Sequence, residues 1–520
     1  MPRFASSKIK RLVSLTATVA LVIQTIVPGG LFSWPANFAL AAQDWDFATA
    51  SDYTLGDYAS IIDGYAIADM QFSGSSDAMD GIYGKVTDVI ETSTAGRILA
   101  AVDTLDANPY STNYGHTWTI PVDSTPDLSN KHYKFSKWTN GTHSGRVVAG
   151  GASYASDVTG DGAIWYTTDA GDHWSATVTL PDTTKVTAIE TFGDVVMVGT
   201  TGDDTNDDRV FVDRDQGGAG PWITIDTLTW NATGINDFAL DKDVKTAMVG
   251  ISTSSLAGGA VPIMYSTDGL TWRAAATISG NSSISAVLAM ATDPVTGNIY
   301  ATTNGNYVLK STNDGATWSE IAVSGSANAK IIYVDANGGI TIINTATIIR
   351  CLDGGTDFAE QTTDVPDSIS ASEGIIRMSD HAYLIGTEVG GKGDVYIGSS
   401  TGTFVIASDM VSVTNKTGVA FTSITGVTDS YPTTSEGSNI DYRFRAVNSG
   451  SWYYWDGSDW AVSSGQAGAN QLSEISQANW STFLSSLGLT SGTFYFQAFL
   501  ARPNTTTYGS GMDSIVLDKV

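Results

Sequence analysis

The sequence predicts an all-β protein in which a seven-bladed β-propeller is flanked by a jelly-roll-like β-sandwich. Three observations carry that expectation. The 520-residue chain is rich in glycine (54) and tryptophan (14), and only 15% of it is charged, a mixture that suits many short strands joined by tight turns. A turn motif closed by an aromatic residue recurs through its middle. The segments leading into those turns are apolar, as in Val210-Phe211-Val212, Ile263-Met264-Tyr265 and Tyr307-Val308-Leu309, which is how a buried strand reads.

The motif is an apolar strand followed by Ser/Thr-x-Asp-x-Gly-x-Thr-Trp. It stands as Ser311-Thr312-Asn313-Asp314-Gly315-Ala316-Thr317-Trp318, as Thr167-Thr168-Asp169-Ala170-Gly171-Asp172-His173-Trp174 and, one residue shorter, as Ser266-Thr267-Asp268-Gly269-Leu270-Thr271-Trp272. Asn113 takes the Asp position in a fourth copy, which runs through Gly115 to Trp118. Weaker copies are Asp215 and Gly217 with Trp222 after an insertion, Asp353 and Gly355 with Phe358, and a remnant from Ser399 to Phe404. The closing aromatics at 118, 174, 222, 272, 318, 358 and 404 are 56, 48, 50, 46, 40 and 46 residues apart, close to the roughly 40–50 residues of a four-stranded blade. Seven copies predict seven blades. The Asp carboxylate suits backbone N–H groups within the turn, Gly the left-handed backbone, and the aromatic side chain the packing between blades.

These residues resemble the Asp-box, or BNR, repeat of sialidases, sortilin-like receptors, family 74 xyloglucanases and the photosystem II assembly factor group. The resemblance covers about residues 80–405 and implies a propeller whose boxes lie at the blade periphery and act as structure, so Asp314, Gly315 and Trp318 and their counterparts are expected to be architectural. It implies no one activity. A sialidase would also carry an arginine triad and an early F/Y-R-I-P motif. The propeller region has seven arginines (Arg97, Arg146, Arg209, Arg214, Arg273, Arg350 and Arg377), none of them in that motif.

The flanks read differently. Residues 406–520 alternate short strands, among them Tyr442 to Ala446, Trp452 to Trp455 and Phe494 to Leu500, with one helically spaced run from Leu472 to Leu487, a pattern that fits a β-sandwich. Residues 42–75 open with Trp45-Asp46-Phe47 and resemble the first strands of a laminin-G or lectin-like jelly roll. So short a piece cannot bury a core alone, and it is expected to complete the C-terminal sandwich, with the propeller (80–405) inserted between. Residues 1–41 read as a signal peptide. A basic start (Arg3, Lys8, Lys10, Arg11) precedes an apolar run from Leu12 to Val27, and Ala39-Leu40-Ala41 offers a cleavage site. The apolar run is short of the roughly 20 residues that span a bilayer, so no membrane span is expected after cleavage.

The net charge is −28 and becomes −32 once residues 1–41, with four cations and no acid, are removed. That surface repels phosphate backbones, and nucleic acid is not an expected partner. The single cysteine, Cys351, follows an apolar run and is expected to be buried. The five histidines form no zinc pattern, and His116 and His173 fall in box turns. No cofactor is firmly implied. The weak metal candidates are two calcium-like acidic turns, Asp157 with Asp161 and Asp203, Asp204, Asp207 and Asp208. Trp452, Tyr454, Trp455 and Trp460 form a possible ligand platform. Strand alternation puts Trp452 and Tyr454 on one face and Tyr453 and Trp455 on the other, so that one face is core. The expected function is that of a secreted or cell-surface bacterial binding or scaffold protein. It would recognise a glycan, polymer or protein partner through propeller loops and the lectin-like sandwich. The alternative is a glycoside hydrolase with a pair of carboxylates in the central cleft.

Overall fold

A computed structural model describes residues 43–45, 52–55, 59–62, 65–68, 71–73, 85–102, 108–120, 130–138, 143–153, 162–180, 185–192, 195–201, 209–214, 222–225, 232–253, 260–279, 284–334, 339–344, 347–351, 355, 358–361, 369–377, 383–389, 392–399, 412–430, 440–465, 468–500, 511–512 and 514–519. The expected signal peptide, the acidic turns at 157–161 and 203–208, Asp215, Gly217, Asp353 and the remnant box after Ser399 lie outside them. No helix among the described residues is long and apolar enough to cross a membrane.

The protein is nearly all β, as expected, and its middle is a propeller. The described residues form seven antiparallel meanders, called blades 1–7 here. Blade 1 is Val86–Glu91, Ile98–Val102 and Tyr110–Ser111. Blade 2 is Asn130–Lys137, Val147–Ser153, Gly162–Thr167 and Ser175–Thr179. Blade 3 is Lys185–Phe192, Val195–Thr201, Val210–Arg214 and Ile223–Ile225. Blade 4 is Ala232–Leu240, Ala247–Thr253, Ala260–Ser266 and Arg273–Ser279. Blade 5 is Val287–Thr292, Ile299–Thr303, Tyr307–Ser311 and Thr317–Ala322. Blade 6 is Ile331–Val334, Ile340–Asn344, Thr347–Cys351 and Ala359–Glu360. Blade 7 is Ile369–Arg377, Tyr383–Val389 and Lys392–Ser399. The outer strands of blades 4 and 5 also pair, in parallel, through Ala276 and Thr317.

The arrangement closes on itself. The first strand of each blade touches the first strand of the next, and that of blade 7 touches that of blade 1. Each junction is an apolar seam lined from both sides. Leu99 and Phe135 belong to the seam between blades 1 and 2, Val198 and Val148 to that between 2 and 3, and Leu384 and Val86 to that between 7 and 1. One glycine per second strand makes several of these seams close. A Cβ on Gly150, Gly199 or Gly250 would lie 2.4, 2.2 or 2.5 Å from Val186, Ile235 or Val287 of the following blade. Gly386 repeats the contact across the closure, with Val86 at 2.5 Å.

The chain's ends weave through the rest. Gln71–Ser73 pairs with Ile397 to Ser399 as the outer strand of blade 7, so this piece of the 42–75 segment belongs to the ring. Earlier strands join the C-terminal segment: Gln43–Trp45 pairs with Ile515 to Leu517, Tyr53–Leu55 with Val413 to Asn415, and Tyr65–Ala68 with Gly511–Met512. Trp45 and Tyr53 enter the same apolar core as Phe444, Trp480 and Phe494. The expected helical run appears as a short 3-10 turn, Leu472–Glu474, and a helix, Gln477–Ser486. Ser476 caps that helix, accepting from Asn479 N–H, and Trp480, Phe483 and Leu484 are its buried side chains.

Candidate functional site

The turns after Ser111, Thr167, Ser266 and Ser311 share one hydrogen-bond pattern. The hydroxyl of Ser111, Thr167, Ser266 or Ser311 accepts from the turn glycine's N–H at 2.9, 3.0, 2.9 and 3.0 Å. An Asp or Asn oxygen then accepts the N–H ahead of the closing aromatic: Thr117 to Asn113 at 2.9 Å, His173 to Asp169 at 2.9 Å and Thr271 to Asp268 at 2.6 Å. The bonds from Thr271 and Leu270 hold the Asp268 carboxyl well below the usual carboxylate range. In the blade 5 copy the accepting residue is Asn313, which takes the Thr317 N–H at 3.0 Å. Asp314, expected in that role, is instead the left-handed residue of the turn at φ 54°. The reason is the register: the acceptor stands two places ahead of Gly315, because the turn must close on the N–H of residue 317. The indoles of Trp118, Trp272 and Trp318 donate back to the turn glycine's carbonyl at 2.9, 3.1 and 2.9 Å. Three of the boxes also press on the blade before them. A Cβ on Gly171, Gly315 or Gly355 would meet Leu99, Met248 or Tyr300 of that blade at 2.7, 2.5 or 2.5 Å. These residues carry packing.

The aromatic segment near the C-terminus divides as alternation requires. Tyr453 and Trp455 pack against the core and Trp460 is part of it, 6% exposed. Half-buried Trp452 lies on the other side of the strand, with the guanidinium carbons of Arg443 and Arg445 5.3 and 4.5 Å from its ring centre. Of the expected platform, Trp452 and half-buried Tyr454 remain away from that core.

A different set of residues converges on the propeller axis. A cavity of about 260 Å³ is lined by Lys85, Thr87, Lys134, Lys185, Val186, Thr187, Ile235, Asn236, Leu288 and Lys330. They belong to, or immediately precede, the first strands of blades 1 to 6, so only the axis can gather them. Thr87, Thr187, Asn236 and Leu288 sit where the register of blades 1, 3, 4 and 5 shifts. A bulge bends the strand and re-aims its side chain, here toward the axis. Several of these groups also tie blades together. Thr187 Oγ1 donates to Ile235 O at 2.6 Å, Asn236 Nδ2 to Val287 O at 2.6 Å, and Lys134 Nζ to Thr87 O at 3.3 Å.

Further along the same strands lie three carboxylates. Asp88 accepts from Val89 N–H and, across the seam, from Phe135 N–H at 2.9 and 2.8 Å. Asp237 does the same with Phe238 and Met290 at 2.9 and 2.7 Å. Glu190 accepts from Thr191 N–H at 2.8 Å and from Ser136 Oγ at 3.2 Å. All three are half-buried, and for Glu190 and Asp237 burial is the largest influence on titration. Burial pushes Glu190 up to about 7, with repulsion from Asp237 and Asp88 adding to it. Burial likewise pushes Asp237 up to about 6, against its backbone bonds and the nearby Lys134. Among the described residues, no three His, Cys, Asp or Glu side chains are grouped to hold a metal ion.

The sequence reading missed this lysine collar because it weighed arginines alone. The signal was present: Lys85, Lys134 and Lys185 recur 49 and 51 residues apart, the blade period.

No family model matches the chain, and no curated protein matches it. Solved structures do. YCF48 from Cyanidioschyzon merolae is similar over 61% of this chain and 96% of its own, with 12% identity and a TM-score of 0.44. The extracellular domain of the one component system BT4673 from B. thetaiotaomicron is similar over 77% of this chain and 47% of its own, with 11% identity and a TM-score of 0.45. The WD40 propeller domain of Doa1 is similar over 65% of this chain and 97% of its own, with 12% identity and a TM-score of 0.43.

Proposed function

We propose that this chain is an exported binding or scaffold protein of the cell surface, a seven-bladed propeller inserted in a lectin-like β-sandwich, that holds a glycan, polymer or protein partner at the mouth of the propeller channel. The observation that carries the reading is the axial cavity. Among the described residues its lining combines four lysines with two side chains, Thr187 and Asn236, locked between blades, and holds no acid, histidine, serine or cysteine. Such a wall suits holding a group in place. Export rests on residues 1–41, and the secreted chain is expected to begin at Ala42 when its N-terminus is sequenced. The binding reading is tested with a glycan and peptide array probed by the native chain and by Leu288→Trp, which fills the mouth. Retention by the native chain that the variant loses supports it; retention equal in both removes the mouth from the account.

The hydrolase reading keeps one observation in its favour, because a carboxyl raised to about 7, as Glu190 is, can act as a general acid near neutrality. Its bonds to Thr191 and Ser136 give Glu190 a seam-clamping role instead. A hydrolysis screen decides: turnover abolished by Glu190→Gln with a melting temperature no lower than the native chain's would restore the enzyme.

A further inference from the structure

The binding reading leaves the chemistry of the ligand open, and resting on that reading, we propose that the lysine collar receives a compact oxyanion carrying two or more negative charges. The argument starts from charge. The chain has 26 cationic and 54 acidic side chains, yet among the described residues four cations and no acid line this one cavity. Lys185 and Lys330 are exposed at its rim, and Lys85 and Lys134 are half-buried. An anion among these four ammonium groups gains charge-assisted hydrogen bonds.

The other lining groups narrow the class. Thr187 and Asn236 spend their donors on the carbonyls of Ile235 and Val287, which leaves little hydroxyl or amide capacity for reading a neutral sugar. Among the described residues no aromatic ring lines the cavity, so a sugar face finds no described ring to stack on. What remains is charge plus a small apolar wall of Val186, Ile235 and Leu288. Ammonium groups on flexible stems act as point charges and set no fixed fork, so carboxylate and phosphate oxygens are both accommodated. At about 260 Å³ the cavity lies just under the usual range for drug-sized ligands, which fits a small molecule or one residue at the tip of a longer chain. The carboxylates of Asp88, Asp237 and Glu190, deeper on the same strands, limit how far an anion enters.

The test is calorimetric titration of the full chain at pH 7 and low salt. Citrate and pyrophosphate represent free polyanions, trigalacturonate the acidic end of a polymer, and acetate and cellotriose are the singly charged and neutral controls. At least one polyanion is expected to bind and both controls to fail. Lys185→Gln with Lys330→Gln, both exposed and so tolerated by the fold, is expected to weaken that binding by about tenfold or more, and Leu288→Trp to abolish it. Binding by trigalacturonate alone assigns the site to a polymer end; binding by citrate or pyrophosphate assigns it to a free anion. The proposal is overturned if no polyanion binds, or if the double lysine variant binds as the native chain does. If no polyanion binds but an array ligand is still lost in Leu288→Trp, the mouth remains a binding site and only its anionic character falls.

Discussion

Cys351 occupies, in blade 6, the place that a hydroxyl holds in the other box turns. Its Sγ accepts from Gly355 N–H at 3.1 Å, as Ser311 Oγ accepts from Gly315 N–H at 3.0 Å. The one cysteine is therefore a box residue, fully buried. Cys351→Ser keeps an acceptor there and is expected to change stability by less than about 1 kcal/mol. Cys351→Val leaves a buried N–H without a partner and is expected to cost about 1–3 kcal/mol in a denaturant titration. The channel carboxylates give a pH signature with a definite sign. Glu190 rises from an ordinary 4.5 to about 7 and Asp237 from 3.8 to about 6, so the folded state holds protons that the unfolded state has released. Their effect is absent below about pH 4 and grows as a loss of stability from there to about pH 7. Glu190→Gln is expected to flatten the upper part of that slope and to gain roughly 2 kcal/mol relative to the native chain between pH 5 and pH 8, read from melting curves. A native chain whose stability rises over that interval would contradict the assigned burial. The sequence shows the box residues because a turn is local chemistry. It hides the carboxylate tier, because Asp88 and Asp237 acquire their role from N–H groups at Phe135 and Met290, about fifty residues away.

At the scale of elements, the seams matter more than the strands. Val249-Gly250 and Val198-Gly199 read as plain apolar strand, and the strand repeat was legible. The reason for glycine was not, because the side chain that needs the space lies in the next blade. Gly250→Ala places a Cβ 2.5 Å from Val287 Cγ1, so one seam must open. The expected cost is about 1–3 kcal/mol, measured by chemical denaturation. Val287→Ala in the same chain is expected to recover part of it, giving a coupling energy that independent sites would lack. Additive losses would mean that the two side chains do not meet. The same logic explains the lysine collar: three of its members recur at the blade period, but only closure of the ring brings them onto one axis.

On the scale of the molecule, the order of pairing makes the two ends of the chain part of everything between them. Gln43–Trp45, Tyr53–Leu55 and Tyr65–Ala68 pair with the C-terminal segment, and Gln71–Ser73 completes blade 7. The sequence suggested insertion from the inability of so short a segment to fold alone. It could not show that the segment's last strand leaves for the ring, because three residues carry no pairing signal of their own. The consequence is energetic coupling. Trp45 sits 5.3 Å from Phe496 and 6.0 Å from Phe494, ring centre to ring centre, and is 8% exposed, so Trp45→Ala is expected to cost about 3–5 kcal/mol. Because Trp45 lies on the same N-terminal segment as Gln71–Ser73, 26 residues before Gln71, its loss should loosen blade 7 as well as the C-terminal core. Hydrogen exchange on the native chain and on Trp45→Ala checks this directly. Faster exchange is expected both at Ile515 to Leu517 and at Ile397 to Ser399, with the seam between blades 3 and 4 unchanged. Deleting residues 42–75 should go further and remove protection from 412–519 altogether; a 406–520 fragment that folds with native protection on its own would show that the N-terminal strands decorate that core without completing it.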